Sequence, residues 1–325
     1  MALTAADKRV LKACDLEIPV ALPGEVLVRV RACGVCQTDV HILEGELTPC
    51  QFPVVPGHEI VGVVEVVGDG VTRFVVGDRV GIAWLGHACG ACAYCASARE
   101  NLCRDARFTG FHMDGGFAEY AVADAEYAFK LPDGHTDAQV APLLGDGVSG
   151  YRAYRLASGA QRLGLYGFGA AACLVAQIGV HHAREIYAFT APGDEAAQTF
   201  ARSLGCAWTG AWTEAPPVPL DAAIVFGSDG RLVTEALSRV VAGGTVVCAG
   251  THMSDSPAFR YADLREERVI RSVTNHTRED MRELLALAPA MTLDAHVETY
   301  DLADANRAIA DLRERRIPGA AILTL

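Results

Sequence analysis

The chain has no excess of basic charge. Its 28 Lys+Arg face 40 Asp+Glu, a formal net charge of −12 over 325 residues, so it lacks the basic face that a phosphate-backbone partner demands. It is also poor in the composition of disorder: 21% of residues are charged against 51% hydrophobic, enough apolar mass for about two packed domains. Repeats, low-complexity tracts and long linkers are missing. Met1–Val10 (MALTAADKRV) has no apolar core of signal-peptide length. The one stretch that could pass for a membrane span, Leu163–Val180, is interrupted by Gly164, Gly167, Gly169 and Gln177. A short strand, a glycine turn and a buried helix account for it better. The expectation is a cytoplasmic protein that binds neither nucleic acid nor membrane, with its 11 cysteines reduced.

What is there divides near residue 146. The first half is dense in valine and glycine. Glu25–Arg31 (EVLVRVR) alternates as a half-buried strand does, Ile60–Val67 is an apolar run closed by Gly68-Asp69-Gly70, and Arg79–Trp84 follows Gly77-Asp78. Beyond it, candidate strands Leu163–Tyr166, Glu185–Thr190, Ala222–Phe226 and Thr245–Ala249 alternate with candidate helices Ala171–Val180, Glu195–Leu204 and Leu232–Val241. That order predicts an α/β chain: a β-rich domain plus a doubly wound parallel sheet. A helix Leu302–Glu314 and a strand Ala320–Leu325 complete it.

Three patterns carry chemistry. Cys89, Cys92, Cys95 and Cys103 are spaced C-x2-C-x2-C-x7-C. Two-residue gaps let neighbouring thiolates turn onto one ion, and four sulfurs close a tetrahedral zinc shell with no place for substrate, so this site is structural. Cys36 (in GVCQTDVH) and His58 (in PGHEI) are right for a second zinc, with Glu59 beside them and Asp39 able to accept the second ring proton of His58. Taken singly, a lone Cys or His is more often a core residue. Gly167-Phe168-Gly169-Ala170-Ala171-Ala172 reads GxGxxA between a strand and a helix, the turn that brings backbone up to a pyrophosphate. Asp194 is expected to cap the helix at Glu195. Cys14, Cys33, Cys50, Cys173, Cys206 and Cys248 have no ligand-like spacing, His181-His182 reads as a surface pair at a helix end, and His252 as a structural turn residue.

GVCQTDVH, PGHEIVGVV, GDRVG, the four-cysteine loop ending RENLC, and GFGAAA together resemble the zinc-dependent medium-chain alcohol dehydrogenases over essentially the whole chain. RFTGF, APLL, GLYGFGA and HMSDSPAF are most similar to the bacterial cinnamyl-alcohol-dehydrogenase-like branch. The resemblance implies a GroES-like catalytic domain at 1–147 and 276–325 around a Rossmann domain at 148–275. It implies two zincs per chain, NAD or NADP, and a homodimer or homotetramer acting on a small alcohol or aldehyde, primary or secondary, with allylic and aromatic alcohols included. Cys36 and His58 match catalytic-zinc ligands, Glu59 the alternate carboxylate, Thr38 the hydroxyl that takes the alcohol proton, His41 the far end of the relay, and Trp84 a wall of the substrate pocket. The nucleotide positions are Gly167, Phe168, Gly169, Ala170, Thr190 and Gly250.

Two departures stand out. Where the family has a third zinc ligand, a cysteine after APLL, this chain has Gly145, which leaves Glu59 or Asp146 to complete the shell and makes Gly145→Cys a change expected to strengthen zinc retention. Where a carboxylate would select NAD, it has Thr190-Ala191, with no arginine to select NADP. The rival readings are a zinc-free quinone or enoyl reductase of the same architecture, and a nucleotide-binding protein that keeps structural zinc but has lost catalysis.

Overall fold

A computed structural model describes residues 1–5, 9–49, 51–250, 253–291, 295–314, 316–317 and 319–325; Cys50 and His252 lie outside them. The strands, in chain order, are Glu25–Val35 (β1), Glu59–Val67 (β2), Arg79–Ile82 (β3), Leu85–His87 (β4), Arg107–Phe108 (β5), Tyr120–Asp124 (β6), Ala128–Lys130 (β7), Arg162–Tyr166 (β8), Glu185–Thr190 (β9), Trp208–Ala211 (β10), Leu220–Val225 (β11), Val240–Cys248 (β12), Val269–Ser272 (β13), Val297–Asp301 (β14) and Ala320–Thr324 (β15). The chain divides into two compact units, 1–148 with 275–325, and 149–274.

In the first unit the alternating valines of β1 bury one face, and the strand runs on past Arg31 to the residue before Cys36. A seven-stranded sheet has the order β14-β15-β1-β2-β3-β7, with β6 also paired to β1. Val26, Val28, Val30, Ile60, Val64, Val80, Ile82 and Phe117 form the centre of its core. The antiparallel register of β1 and β2 sets Gly34 opposite Glu59. The small ribbon of β4 and β5 stands apart from this sheet.

In the second unit six strands run parallel in the order β10-β9-β8-β11-β12-β13. The chain steps one way from β8 through β9 to β10, then returns to the other side for β11. Between β8 and β11 lies the switch point where α/β sheets of this winding bind nucleotides. The α/β class and the doubly wound sheet are those the sequence predicts.

Several boundaries shift by a few residues, and two of the shifts have a clear local cause. The helix expected over Leu232–Val241 is Arg231–Arg239, because Val240 is already extended (φ −85°, ψ 145°) and the β-branched pair Val240-Val241 opens a long β12. The helix expected from Leu302 starts as a 3₁₀ turn, Leu302–Asp304, before the α-helix Ala305–Arg313. Among the described residues no helix is long and apolar enough to cross a membrane.

Candidate functional site

Cys36 follows β1 directly and caps the helix Gln37–Glu44. Its Sγ accepts the Thr38 N–H at 3.3 Å, and Asp39, third in the helix, returns a carboxylate oxygen to the Cys36 N–H at 3.0 Å. Amides that a helix start leaves unpaired thus fix the thiol in place. His58 and Glu59 enter at the start of β2, the neighbour of β1. The result brings Cys36 Sγ to 3.1 Å from His58 Nε2. A tetrahedral zinc with ordinary bonds holds sulfur and nitrogen about 3.5 Å apart. One donor atom each from Cys36, His58 and Glu59 lies within 4.8 Å of the others, and all three residues are buried.

The electrostatics suit a cation. Burial pushes the Cys36 thiol well above its ordinary range, and the Asp39, Glu59 and Asp146 carboxylates push it further. Burial, then Asp146 and Asp39, do the same to Glu59. Burial holds His58 below its ordinary value, in the neutral form that a metal takes. Buried acids this close are costly as anions unless a positive charge sits among them. Thiolate, imidazole and carboxylate are a zinc donor set, so these residues fit the metal. Asp39 stands at the second ring nitrogen of His58, but its Oδ1 is 3.8 Å from Nδ1, beyond hydrogen-bond distance. Its oxygens accept the N–H groups of Cys36 and Gly57 instead.

Gly145 is not a gap. It follows the 3₁₀ turn Ala141–Leu144, and a Cβ built there would lie 1.9 Å from Glu59 Oε1. A Cβ at Gly34 would lie 1.8 Å from Glu59 Oε2. The Glu59 carboxyl occupies the space between the two glycines and accepts the backbone N–H of Asp146. The Asp146 carboxyl does not join the group of mutually close donor atoms. Its residue opens the helix Asp146–Leu156, and adjacent helical side chains diverge by about 100°.

Thr38 is half-buried, and His41 lies three residues on, on the same helix face. His41 Nδ1 is 2.5 Å from Glu46 Oε2, a partner that the sequence reading missed. Trp84 stands edge-on to His58, ring centroids 4.8 Å apart, and stacks on Phe108 at 4.9 Å. Phe111 adds a third ring at 5.9 Å. Neither phenylalanine has a spacing signal that could have singled it out.

The four-cysteine loop is drawn together around one point. Cys95 Sγ is 3.6 Å from Cys92 Sγ and 3.9 Å from Cys89 Sγ, against about 3.8 Å between sulfurs on a tetrahedral zinc. Backbone N–H groups of Ala91 and Cys92 bring the Cys89 thiol down to about 6, while burial first, and then Cys92, push Cys95 up to about 12. Buried Cys103 packs with Leu85, Ala88 and Tyr127. Glu100 anchors the loop by accepting the backbone N–H of Arg278 at 2.9 Å and its Nε–H at 3.3 Å.

In the second unit, Gly167 follows β8 with φ +85°, and a Cβ there would lie 2.6 Å from Gly227 N. A Cβ at Gly250, after β12, would lie 2.6 Å from Gly227 O. Three side-chain-free turns therefore close on one another at the carboxyl ends of β8, β11 and β12. Gly169 caps the helix Ala170–His181, and a Cβ there meets nothing, so a pyrophosphate has room to approach the first turn. Phe168 and Ala170 flank it half-buried. Thr190, at the end of β9, is buried; its Oγ1 accepts Gln198 Nε2–H at 3.1 Å and faces Gly210 O at 3.4 Å. Asp194 caps the next helix by accepting the Ala197 N–H at 3.0 Å.

Comparison with known proteins places the chain in a family. A family model described as alcohol dehydrogenase GroES-like domain matches residues 22–133. One described as zinc-binding dehydrogenase matches residues 214–323. A probable alcohol dehydrogenase AdhA of Mycobacterium tuberculosis is 44% identical over 324 residues, 97% of this chain and 93% of that protein. Among solved structures, a cobalt- and zinc-bound thermostable alcohol dehydrogenase of Pyrobaculum aerophilum superposes with a TM-score of 0.88 at 26% identity, covering 100% of this chain and 98% of its own. An acetophenone reductase of Geotrichum candidum in complex with NAD gives 0.87 at 26% identity, covering 100% and 96%.

Proposed function

Because the chain belongs to the zinc-binding alcohol dehydrogenase family, we propose that it interconverts small primary or secondary alcohols and their carbonyl partners at Cys36, His58 and Glu59, with a second zinc held by Cys89, Cys92, Cys95 and Cys103. The observation that carries this reading is the convergence of a buried thiol, a neutral imidazole and a carboxyl from two neighbouring strands. When bound, zinc supplies a Lewis acid and the nicotinamide a hydride acceptor. The chain supplies the rest. Thr38 takes the hydroxyl proton of the alcohol, His41 passes it on toward solvent, and Glu46 orients the His41 ring through Nδ1. Trp84 and its two phenylalanine neighbours shape an apolar wall beside His58. Gly167, Gly169 and Gly250 admit the dinucleotide. The reductase without zinc has no use for two assembled ligand sets. Oxidation of a panel of primary, secondary, allylic and benzylic alcohols, followed by reduced-nicotinamide absorbance, tests the reading; no turnover of any of them by zinc-loaded protein contradicts it.

Removing the relay should spare the metal. His41→Ala is expected to slow alcohol oxidation about tenfold at low pH, with the loss shrinking as hydroxide becomes available to replace it. Zinc per chain stays unchanged. A pH-independent loss accompanied by one missing zinc would reassign His41 as a ligand.

Cofactor choice should be loose. The Thr190 hydroxyl is committed to Gln198 and Gly210, and the pair Thr190-Ala191 offers neither a carboxylate against a 2′-phosphate nor a guanidinium for it. The kcat/KM values with NAD and NADP are expected to differ by less than about 10³, roughly 4 kcal/mol of transition-state preference. A larger ratio, in either direction, means that another side chain reads the ribose.

A further inference from the structure

We propose that Glu59 is the resident third ligand of the Cys36–His58 centre and that Gly34 and Gly145 hold its place open, so that this chain grips its metal through one thiolate, one imidazole and one carboxylate; the nature of the bound group rests on the reading above. Glu59 belongs to β2 and cannot be displaced by the sheet, because the register sets it against Gly34, the one residue type whose absent side chain lets the carboxyl fold back over β1. The other wall is Gly145, which arrives from a turn 86 positions later in sequence (145 − 59). Carbon at either position would overlap a carboxyl oxygen, at 1.8 Å from Gly34 and 1.9 Å from Gly145. The Asp146 N–H then holds the carboxyl from the side of the turn. Asp146 is a positioning residue, acting through its backbone, and its carboxyl is no ligand.

The two glycines differ in what a methyl would disturb. At Gly34 a new Cβ also lies 2.9 Å from Glu59 Cβ, close to the strand itself. At Gly145 it meets Oε1, Cδ and Cγ, the mobile end of the side chain. Gly145→Ala therefore expels the carboxyl without offering a donor, leaving two protein ligands where catalytic zincs keep three. Gly145→Cys expels it too, but brings a thiolate to the vacated corner. An oxygen in the shell also makes the centre harder and quicker to lose its ion than the four-sulfur site.

The test is cobalt(II) binding to protein whose four-cysteine site is already filled with zinc, read by chelator competition and by thiolate-to-cobalt charge-transfer absorbance. Gly145→Ala and Glu59→Gln are each expected to weaken cobalt binding about 30-fold or more, with one zinc per chain retained. Asp146→Asn should stay within about threefold of the parent, since its backbone N–H remains. Gly145→Cys should bind at least as tightly as the parent and roughly double the charge-transfer band, one thiolate becoming two. Glu59→Gln adds no bulk, so it answers even if Gly145→Ala does not fold. Parent-like binding by Glu59→Gln, or loss of binding in Asp146→Asn with Glu59→Gln intact, overturns the assignment. Cobalt binding that is weakened by Cys36→Ser but not by Gly145→Ala overturns it while leaving the metal centre in place. Cobalt binding that survives Cys36→Ser overturns both.

Discussion

His58→Ala is expected to remove one of two zincs per chain and to lower kcat/KM for alcohol oxidation about 10⁴-fold, roughly 5 kcal/mol of transition-state stabilisation. The imidazole is buried, held neutral, and aimed through Nε2 at Cys36 Sγ. Alanine leaves Cys36 and Glu59, two donors of which one is an oxygen, and a shell of that size does not retain zinc at working concentrations. The same variant leaves Glu59, Asp39, Asp146 and Cys36 as neighbours with no positive partner among them. Their shared response is to keep protons, so what little zinc the variant takes up from a large excess should rise with pH. Metal analysis and steady-state rates across pH read both effects. Two zincs per chain together with parental rates would remove His58 from the centre.

Cys103→Ser should act on stability instead. Its thiol is buried with Leu85, Ala88 and Tyr127 in a small apolar cluster against which Ala106 and Phe108 also pack. The loop around it, residues 86–104, gathers its four sulfurs at one point and is tied down by the Glu100–Arg278 contact and by His87 against Asp124. Losing the ion removes binding energy that is folding energy for such a loop. The melting temperature is expected to fall by roughly 10 °C, with new proteolytic cuts inside the loop and one zinc fewer per chain. Enzyme that survives at low temperature should keep its kcat, because the four sulfurs form a donor group of their own, separate from Cys36, His58 and Glu59. An unchanged melting curve with that zinc missing would show that the loop holds itself.

These two sites were not equally legible. Four cysteines within fifteen positions announce a zinc by spacing alone, and GxGxxA announces a nucleotide turn, because in each the chemistry is local in sequence. Cys36 and His58 are 22 positions apart and gained meaning only through resemblance. The third corner of their shell was legible as a question, Glu59 or Asp146, and no more. The answer proposed above, Glu59, rests on a strand register that faces it with Gly34 and on a turn that brings Gly145 over it, and a sequence carries neither fact on its face. The same holds for Glu46 beside His41 and for Phe108 under Trp84. Where the reading of the fold erred, at Val240, a helical period ran into a strand with no glycine or proline between them, and only β-branching marked the change.

Trp84 gives this protein an optical property of its own. The chain has three tryptophans, and the other two, Trp208 and Trp212, belong to the second unit. Trp84 alone stands edge-on to His58, a ring that the proposed centre would place against a cation. Indole emission follows the field along the ring, and a cation held by His58 would act on it across the short gap of 4.8 Å between the two ring centroids, a separation inside the screening length of about 8 Å in physiological salt. With a metal at Cys36, His58 and Glu59 as proposed above, the colour of the ultraviolet emission would follow occupancy of the centre, and a cuvette of unlabelled protein would report its own loading.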